Sequence, residues 1–300
     1  MALPVKAKLP ATARYSSGLT PSVNPEQPAP PPRVSAVVVS RNRVELLRRC
    51  LDSLEKSEGR ETVQVIVVDN GSTDGSAELE AEFPNVRYSR LPKNFGLTKA
   101  LNIGWRAAEA DYVFLLHDDT ELEPEAIVRL AAVLDSTPDA AAVSPLLVDE
   151  QGRPAPQIGE LPPNGTYRPA QPPGPEPFAV IYPRGAALMV RAFVIKSIRQ
   201  IDERYGQFGS DADLAAHIRR GGKKILLVPE ARARHRGGSD SGTLGRADFL
   251  SGRATLIGKN QGFGAGLQAR LAAILGSFFS LRWGELRYLL AGQKIDGTQE

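Results

Sequence analysis

The stretch YVFLLHDDT at residues 112–120 joins an unbroken apolar run to two adjacent carboxylates. An apolar run bounded by polar residues is typical of a strand buried on both faces of a parallel sheet. Adjacent carboxylates repel each other unless a cation lies between them, and their oxygens suit Mg²⁺ or Mn²⁺. The stretch therefore predicts a central strand that ends at a metal site, although turn chemistry before a helix would also explain the two acids.

Apolar runs alternate with helical patterns on both sides of this stretch. The runs Val34–Val39 and Val63–Val68 predict two more buried strands, and Val86–Leu91 predicts a weaker one. Helices are predicted at Val44–Ser57, Ser76–Phe83, Thr98–Ala108 and, from a first turn that contains Pro124, up to Leu134. Such alternation is typical of an α/β fold in which helices cover both faces of a mostly parallel sheet.

Residues 153–183 differ in composition from the segments around them. They hold ten of the 24 prolines and three glycines, which predicts a long loop that is either a functional lid or disordered. Regular structure is expected to resume with a strand at Ala186–Val190, a helix at Asp211–Arg220 and a strand at Lys224–Val228.

Composition divides the chain into three segments. Residues 1–33 are rich in proline, alanine and serine and predict a disordered arm, whereas residues 34–260 hold the alternating pattern of a folded domain. Residues 261–300 form a helical tail, in which Leu267–Leu290 carries one apolar stripe with arginines outside it. We expect this amphipathic segment to pack on the domain. The alternative is that the stripe makes peripheral membrane contact or a homo-oligomer contact.

The distribution of charge argues against a basic binding surface. The formal net charge is +3, and residues 1–33 carry four basic residues and one acid, so the rest of the chain sums to zero. Nucleic-acid-binding domains usually show a basic patch, and we therefore expect no nucleic-acid partner. No apolar run is long enough for a membrane span, and the N-terminus lacks the apolar core of a signal peptide. We expect a cytoplasmic protein whose single cysteine, Cys50, is a buried thiol.

Two further polar clusters follow predicted strands. Asp69 ends the second predicted strand and begins a turn of glycine, serine and asparagine. Because ligands of open parallel sheets bind at the carboxyl ends of strands, Asp69 is placed to accept hydrogen bonds from a base or a ribose, while Ser72 or Asp74 caps the next helix. His235 precedes two glycines and suits a metal ligand or a phosphate contact.

A second acidic pair opens the helix predicted at Asp211–Arg220. Asp211 and Asp213 are expected on different faces of that helix, so that one points into a cleft while the other caps the helix. Capping alone would explain one of the two carboxylates, which leaves the other for chemistry.

Together these segments resemble the inverting glycosyltransferases of family 2, which have the Rossmann-like GT-A fold, and within them the bacterial rhamnosyltransferase-like branch. Each motif alone is weakly specific, whereas seven in the family's order over about residues 34–260 are a strong signal. The motifs are VSAVVVSRNR at Val34–Arg43, VVDNGSTDGS at Val67–Ser76, KNFGLTKALNIGW at Lys93–Trp105, YVFLLHDDTELEP at Tyr112–Pro124, RGAALMVR at Arg184–Arg191, YGQFGSDADL at Tyr205–Leu214 and ARHRGGS at Ala233–Ser239.

The resemblance implies a role for individual residues. Asp119 would hold Mn²⁺ or Mg²⁺ together with His235, and Asp211 matches the general base that takes the proton of the acceptor hydroxyl. The residues that would line the base and ribose pocket are Ser40, Asn42 and Asp69. The segment that closes over the nucleotide would carry Asn94 and Lys99, and Asp118 would belong to the metal motif beside Asp119.

The implied reaction moves a sugar from a nucleotide diphosphate sugar, either dTDP-rhamnose or a UDP-sugar, onto an acceptor hydroxyl with inversion. The acceptor would be a saccharide or a lipid-linked saccharide in cell-surface polysaccharide synthesis, and the protein would work in the cytoplasm or at the inner membrane face. Residues 153–183 lie between the metal motif and the base, so we expect them to border the acceptor site.

Two residues depart from the family's pattern. His117 stands where many relatives carry the first aspartate of the metal motif, and Ser210 stands where many carry a glutamate before the base. They motivate the alternative of a catalytically silent subunit that binds nucleotide sugar or acts as a scaffold. A glycoside hydrolase is disfavoured, because it would need no nucleotide pocket and the Asp69 segment predicts one. A nucleotidyltransferase is disfavoured too, because it would need a glycine-rich phosphate loop near the first strand and residues 40–45 contain no glycine.

Overall fold

A computed structural model describes residues 31–237 and 242–295. Most of the arm predicted at residues 1–33 and the end of the ARHRGGS motif lie outside these described residues. The strands are β1 Val34–Ser40, β2 Val63–Asp69, β3 Val86–Arg90, β4 Tyr112–His117, β5 Thr120–Leu122, β6 Ala140–Val148, β7 Pro156–Gly159, β8 Arg168–Pro169, β9 Phe178–Val180, β10 Tyr182–Pro183, β11 Ala187–Arg191 and β12 Lys224–His235. The α-helices are α1 Val44–Glu55, α2 Leu79–Glu82, α3 Leu97–Arg106, α4 Ala126–Ser136, α5 Ala192–Ile198, α6 Ser210–Arg220, α7 Gly242–Gln261, α8 Phe263–Phe279 and α9 Trp283–Ala291.

The main sheet has the strand order β3-β2-β1-β4-β11-β6-β12-β5, and β9 pairs with β12 as well. The ladders that join β3, β2, β1 and β4 are parallel, as is the ladder between β6 and β12. Antiparallel β11 lies between β4 and β6. Most paired residues therefore lie in parallel ladders, and the predicted α/β fold with a mostly parallel sheet is confirmed.

Two apolar layers, one on each face of the sheet, follow from the alternation of side chains along each strand. On β1, Val34 and Val38 pack with residues of α1 and α4, whereas Val37 packs with residues of α3 and α6. Cys50 of α1 lies fully buried in the first layer, as predicted. Because both faces are covered, the strands read as unbroken apolar runs.

The register of the parallel strands places their carboxyl ends at one edge of the sheet. Ser40 at the end of β1 lies beside Asp69 at the end of β2. On the other side of β1, Val39 lies beside His117 at the end of β4. The motifs that follow these three strands are therefore neighbours in space, although up to about 80 residues separate them in the chain.

The turn after β2 packs tightly against the segment before α3. The Oδ1 atom of Asp74 accepts a hydrogen bond from the Ser76 N–H at 3.0 Å, and its Oδ2 accepts one from the Val44 N–H at 3.0 Å. Asp74 thus caps the 3₁₀ turn Gly75–Glu78, as predicted for this residue or Ser72, and also the start of α1. Gly71 has a φ of +77° and contacts the backbone of Lys93.

The segment 153–183 is not the long structureless loop that its prolines predict. Strands β7, β8 and β10 form a small antiparallel sheet, and β9 joins the main one. The fully buried Gln157 fixes β7, because its side chain accepts a hydrogen bond from the Leu147 N–H and donates one to the Ser144 Oγ, both at 3.0 Å. Contacts with distant residues, which local sequence does not show, therefore order this segment.

The C-terminal helices also differ from expectation. Helix α7, which was not predicted, packs on the domain through residues such as Leu256 and Ile257. Helix α8 packs against α7, where a Cβ atom on Gly266 would lie 2.6 Å from the Gly258 Cα, and Leu289 of α9 is buried. The segment thus packs on the domain as expected, but most of its apolar stripe does not, because α8 buries only Ser277 among its 17 residues. No helix within residues 31–237 or 242–295 has the length and apolar character needed to cross a bilayer.

Substitution of Gly71 tests the packing of the turn after β2. A Cβ atom there would lie 2.4 Å from the Lys93 carbonyl carbon, on a backbone with positive φ, so we expect Gly71→Ala to lower the free energy of unfolding by about 3 kcal/mol. Gly152→Ala is the matched control, because Gly152 has a φ of +74° but nothing within 4 Å of the added atom. The control should cost about 1 kcal/mol. If urea unfolding shows the same loss of unfolding free energy for both variants, the close approach of Gly71 to Lys93 does not contribute to stability.

Candidate active site

A cleft of about 520 Å³ opens at the carboxyl edge of the parallel strands. Its walls come from the ends of β1, β4 and β12, the start of α6 and the segment 163–185. The residues predicted to act in the site that line this cleft are Ser40, Asn94, Asp118, Asp119, Asp211 and His235. The fold thus brings the metal motif, the predicted base and part of the nucleotide pocket together.

Asp118 is a buried carboxylate held by two donors. The Ser40 Oγ donates to its Oδ2 at 2.8 Å, and the Arg43 Nη1 donates to its Oδ1 at 2.8 Å. Burial raises the pKa of Asp118 to about 6, against the opposing effects of Arg43 and Ser40. The ionised form therefore depends on the positive charge beside it.

Asp119 is also buried, and its surroundings act in the opposite direction. Its Oδ1 lies 3.3 Å from the His235 Nε2 and 3.9 Å from the His117 Nδ1, while its Oδ2 lies 3.3 Å from the Arg43 Nη2. Burial raises the pKa of Asp119, but His235, His117 and Arg43 outweigh burial and hold it below its usual range. Although the His235 ring is near, its geometry is not that of a hydrogen bond, so the buried Oδ1 has no hydrogen-bond partner among the described residues.

This unsatisfied oxygen lies in a group of donor atoms that fits a metal ion. One donor atom each from His117, Asp119 and His235 lies within 4.8 Å of the others. The cleft walls desolvate His117 and lower its pKa, which favours the neutral imidazole that ligates metals, even though 42% of its side chain is exposed. His117, which the sequence marks as a departure from the metal motif, therefore adds a third candidate ligand to the two predicted.

Asp211 lies in the first turn of α6 and faces the cleft. Its Oδ2 accepts hydrogen bonds from the Tyr182 hydroxyl at 2.7 Å and from the Gly185 N–H at 3.2 Å. A Cβ atom on Gly185 would lie 2.7 Å from the Asp211 Cβ, so only glycine permits this approach. The Tyr182 hydroxyl lies 2.7 Å from that of Tyr167, so two tyrosines of the segment 153–183 continue the hydrogen-bonded chain from Asp211. The carboxylate is therefore fixed in place.

Asp213 points elsewhere, as the sequence predicts for one of the pair. The Lys259 Nζ donates a hydrogen bond to the Asp213 Oδ2 at 2.5 Å, and Asp213 does not line the cleft. Its partner on α7 shows that Asp213 links two helices. It does not cap α6, where Gly209 precedes the first turn.

Three residues predicted to bind nucleotide do not line the cleft. The Asn42 Oδ1 accepts a hydrogen bond from the Thr73 N–H at 2.7 Å, and the Asp69 Oδ1 accepts one from the Ser72 N–H at 2.9 Å, so both shape the turn after β2. Lys99 is exposed on α3. Their contacts with a nucleotide remain predictions.

Several cleft residues were missed at the sequence level. Arg43 ends a quoted motif, and its place directly after the first strand was the signal that could have identified it. Tyr167 and Tyr182 lie in the proline-rich segment, while Phe249 and Ile295 come from the C-terminal part of the chain. No local pattern marks these four residues, because only the tertiary fold brings them to the cleft.

Sequence comparisons place this site in a known family. The family model described as glycosyl transferase family 2 matches residues 35–193, more than half of the chain. The N-acetylglucosaminyl-diphospho-decaprenol L-rhamnosyltransferase of Mycobacterium tuberculosis is 28% identical over 219 residues, which are 63% of this chain and 71% of that protein. The undecaprenyl-phosphate 4-deoxy-4-formamido-L-arabinose transferase of Proteus mirabilis is 32% identical over 110 residues, 34% of each chain.

Two solved structures share the fold at low sequence identity. The crystal structure of GalNAc-T7 with UDP, GalNAc and Mn²⁺ aligns with a TM-score of 0.63 and 17% identity over 75% of this chain and 47% of that chain. The structure of TarS from S. aureus aligns with a TM-score of 0.56 and 17% identity over 75% of this chain and 40% of that one. This chain thus spans less than half of either protein. On the family match and the shared architecture, the chain belongs to glycosyl transferase family 2, with the GT-A fold, and is a glycosyltransferase.

Proposed function

We propose that the protein transfers a sugar from a nucleoside diphosphate sugar to an acceptor hydroxyl with inversion, in cell-surface polysaccharide synthesis. The observation that carries the proposal is that Asp119, His235 and Asp211 line one cleft at the carboxyl edge of the parallel strands. The name of the M. tuberculosis relative describes a rhamnosyltransferase with a lipid-linked acceptor. It supports dTDP-rhamnose ahead of a UDP-sugar as donor, and a lipid-linked saccharide at the inner membrane face as acceptor.

The nucleotide would bind along the ends of β1 and β2. The Asn70 Nδ2 donates to the Asn94 Oδ1 at 3.0 Å, and the Phe95 N–H donates to the Asn70 Oδ1 at 2.8 Å. These bonds fasten the segment before α3 to the turn after β2. Lys99 on α3 would then reach the nucleotide from that segment, while Ser40 and Asp118 form the floor and Asp69 and Asn42 the adjoining turn.

His117, Asp119 and His235 would hold the metal ion. Imidazole nitrogen is a poorer ligand for Mg²⁺ than for Mn²⁺, so this donor set favours Mn²⁺. The cation would stabilise the negative charge that builds on the diphosphate as the glycosidic bond breaks. Arg43 would add its positive charge from the opposite side of Asp119.

Asp211 would serve as the general base. The acceptor oxygen attacks the anomeric carbon and its proton passes to the carboxylate, while the bond to the diphosphate breaks and the nucleoside diphosphate leaves. This single displacement inverts the anomeric centre and needs no nucleophile from the protein. Tyr182 and the Gly185 N–H would orient the carboxylate by donating to its Oδ2.

A catalytically silent subunit is the second candidate, and Ser210 favours it. Ser210 is buried and lines the cleft next to Asp211, so no second carboxylate assists the proposed base at that position. The silent protein would bind nucleotide and metal but would not turn over. Binding and turnover therefore need separate measurements.

Thermal shift with nucleotides tests the donor site. In the presence of Mn²⁺, UDP or dTDP at 100-fold above its Kd should stabilise the wild type by about 2.7 kcal/mol, or about 5–10 °C in Tm. We expect Asp119→Ala and His117→Ala to lose the Mn²⁺-dependent part, whereas the exposed control Asp139→Ala retains it. Mn²⁺ should act at lower concentrations than Mg²⁺. If neither nucleotide changes the Tm of the wild type under any condition, the assignment of the donor site is wrong.

Substitution of the proposed base tests turnover. With dTDP-rhamnose and N-acetylglucosaminyl-diphospho-decaprenol, we expect Asp211→Asn to lower kcat by about 10²–10⁴-fold, because the amide cannot accept the proton. The Tm shift with nucleotide and Mn²⁺ should remain. Asp213→Asn is the matched control, because Asp213 lies two residues further along α6 and does not line the cleft, and it should retain turnover.

Three results would contradict this assignment. Full turnover by Asp211→Asn would move the base elsewhere. A wild type that binds nucleotide and never releases dTDP from dTDP-rhamnose or a UDP-sugar would establish the silent subunit. Equal loss in Asp213→Asn would point to a structural effect on α6.

A further inference from the structure

Helices α8 and α9 present an apolar surface that the rest of the described chain leaves uncovered. We call it the tail face and define it by six exposed apolar side chains of α8 and the start of α9: Phe263, Leu267, Leu271, Leu275, Phe279 and Trp283. Their exposed fractions run from 45% for Leu267 to 83% for Phe263. A concentration of exposed large apolar side chains of this kind marks an interaction surface.

The tail face is held in place from behind. Gly266 of α8 approaches Gly258 of α7 so closely that a Cβ atom on Gly266 would lie 2.6 Å from the Gly258 Cα. Arg270 donates to the Leu289 carbonyl oxygen at 3.2 Å, which joins α8 to α9. The apolar side chains therefore project from a helix pair that is fixed in place, and the packing of α8 and α9 is what leaves these side chains exposed.

The exposed charges within residues 263–295 have one sign. Residues 263–295 contain a single acid, Glu285, which is 2% exposed. Its Oε2 lies 2.7 Å from the Arg246 Nε and 4.0 Å from the Arg282 Nη1, so two arginines share this one carboxylate. The basic residues of the segment include Arg282 and Arg287, which are exposed. Glu285 offsets only part of this charge, and residues 263–295 contain no exposed carboxylate, so the segment keeps a net positive charge that complements an anionic surface.

The tail face is also connected to the cleft. Asp248 of α7 is 1% exposed, and its Oδ1 accepts a hydrogen bond from the Ile295 N–H at 3.0 Å. Its Oδ2 accepts bonds from the N–H groups of Gln207 at 2.9 Å and Phe208 at 3.1 Å, just before the helix that carries Asp211. Ile295 and Phe249 of α7 both form part of the cleft wall. One segment therefore supplies both the apolar face and a wall of the site.

We propose that the tail face docks on an anionic lipid surface, with its apolar side chains in the interface and Arg282 and Arg287 against the headgroups. Apolar burial and attraction to anionic lipid together hold such interfacial helices. Docking would tie the wall formed by Ile295 and Phe249 to the membrane. The proposal goes beyond the proposed transfer reaction and does not depend on it.

A second copy of the chain is the competing occupant, and the charges disfavour it. A two-fold symmetric dimer brings the same patch of both copies together. Such an interface would take in the arginines of both copies, and residues 263–295 offer no exposed carboxylate to pair with them. A lipid surface with anionic headgroups has no such conflict.

Flotation of the full chain with lipid vesicles, in the absence of nucleotide, tests the proposal. We expect the wild type to bind vesicles of phosphatidylcholine mixed with phosphatidylglycerol and to bind much less to phosphatidylcholine alone. The double variant Arg282→Gln/Arg287→Gln should bind the mixed vesicles about 30-fold more weakly, because each arginine near an anionic surface contributes a factor of about five. Leu271→Glu/Leu275→Glu should weaken binding by about 100-fold or more.

Controls separate docking from misfolding and from dimer formation. Phe193→Glu alters an exposed apolar side chain on α5, away from the tail face, and should bind vesicles as the wild type does. Each variant should retain the wild-type Tm and its shift with nucleotide and Mn²⁺. The proposal is overturned if the wild type ignores both kinds of vesicle, or if both tail variants bind as well as the wild type. It also fails if light scattering shows a dimer that Leu271→Glu/Leu275→Glu dissociates.

Discussion

Two adjacent carboxylates, Asp118 and Asp119, are buried at the end of a central strand, and the surrounding site depends on how their charge is offset. Burial of an unpaired carboxylate is costly, so each oxygen needs a donor or a cation. Arg43 forms ion pairs with both carboxylates, and the Ser40 hydroxyl donates a hydrogen bond to Asp118. The imidazoles of His117 and His235 lie beside Asp119. The one oxygen left without a hydrogen bond is the one that a metal ion between His117 and His235 would bind.

The parallel register explains why so much could be predicted from sequence. Unbroken apolar runs marked β1, β2 and β4, and their carboxyl ends carried Ser40, Asp69 and the acidic pair. Once these runs are taken as neighbouring strands, the position of the site follows. By contrast, β6 escaped prediction because it begins with three alanines and contains Pro145, although it lies buried between β11 and β12.

The cleft wall around Asp211 was harder to predict because tertiary contacts build it. Tyr182 reaches Asp211 only because β10 pairs with β7, and β7 depends on the buried side chain of Gln157. Prolines mask these short strands in the sequence. The same limit applies to Phe249 and Ile295, which α7 and the end of the chain bring to the cleft. Most residues at the ends of parallel strands were thus identified, whereas those from the segment 153–183 and from the C-terminal helices were not.

The hydrogen bonds to Asp248 have a consequence for how the enzyme could be shortened or recombined. The composition change near residue 260 invites a cut between a catalytic core and a dispensable tail. A chain cut there would lose the Ile295 N–H from the Asp248 carboxylate and remove part of the cleft wall. The remaining bonds from Gln207 and Phe208 would hold a carboxylate with one oxygen newly unpaired, directly before the helix of Asp211. Chimeras between relatives are therefore better joined upstream of α7, so that α7 and Ile295 come from the same parent.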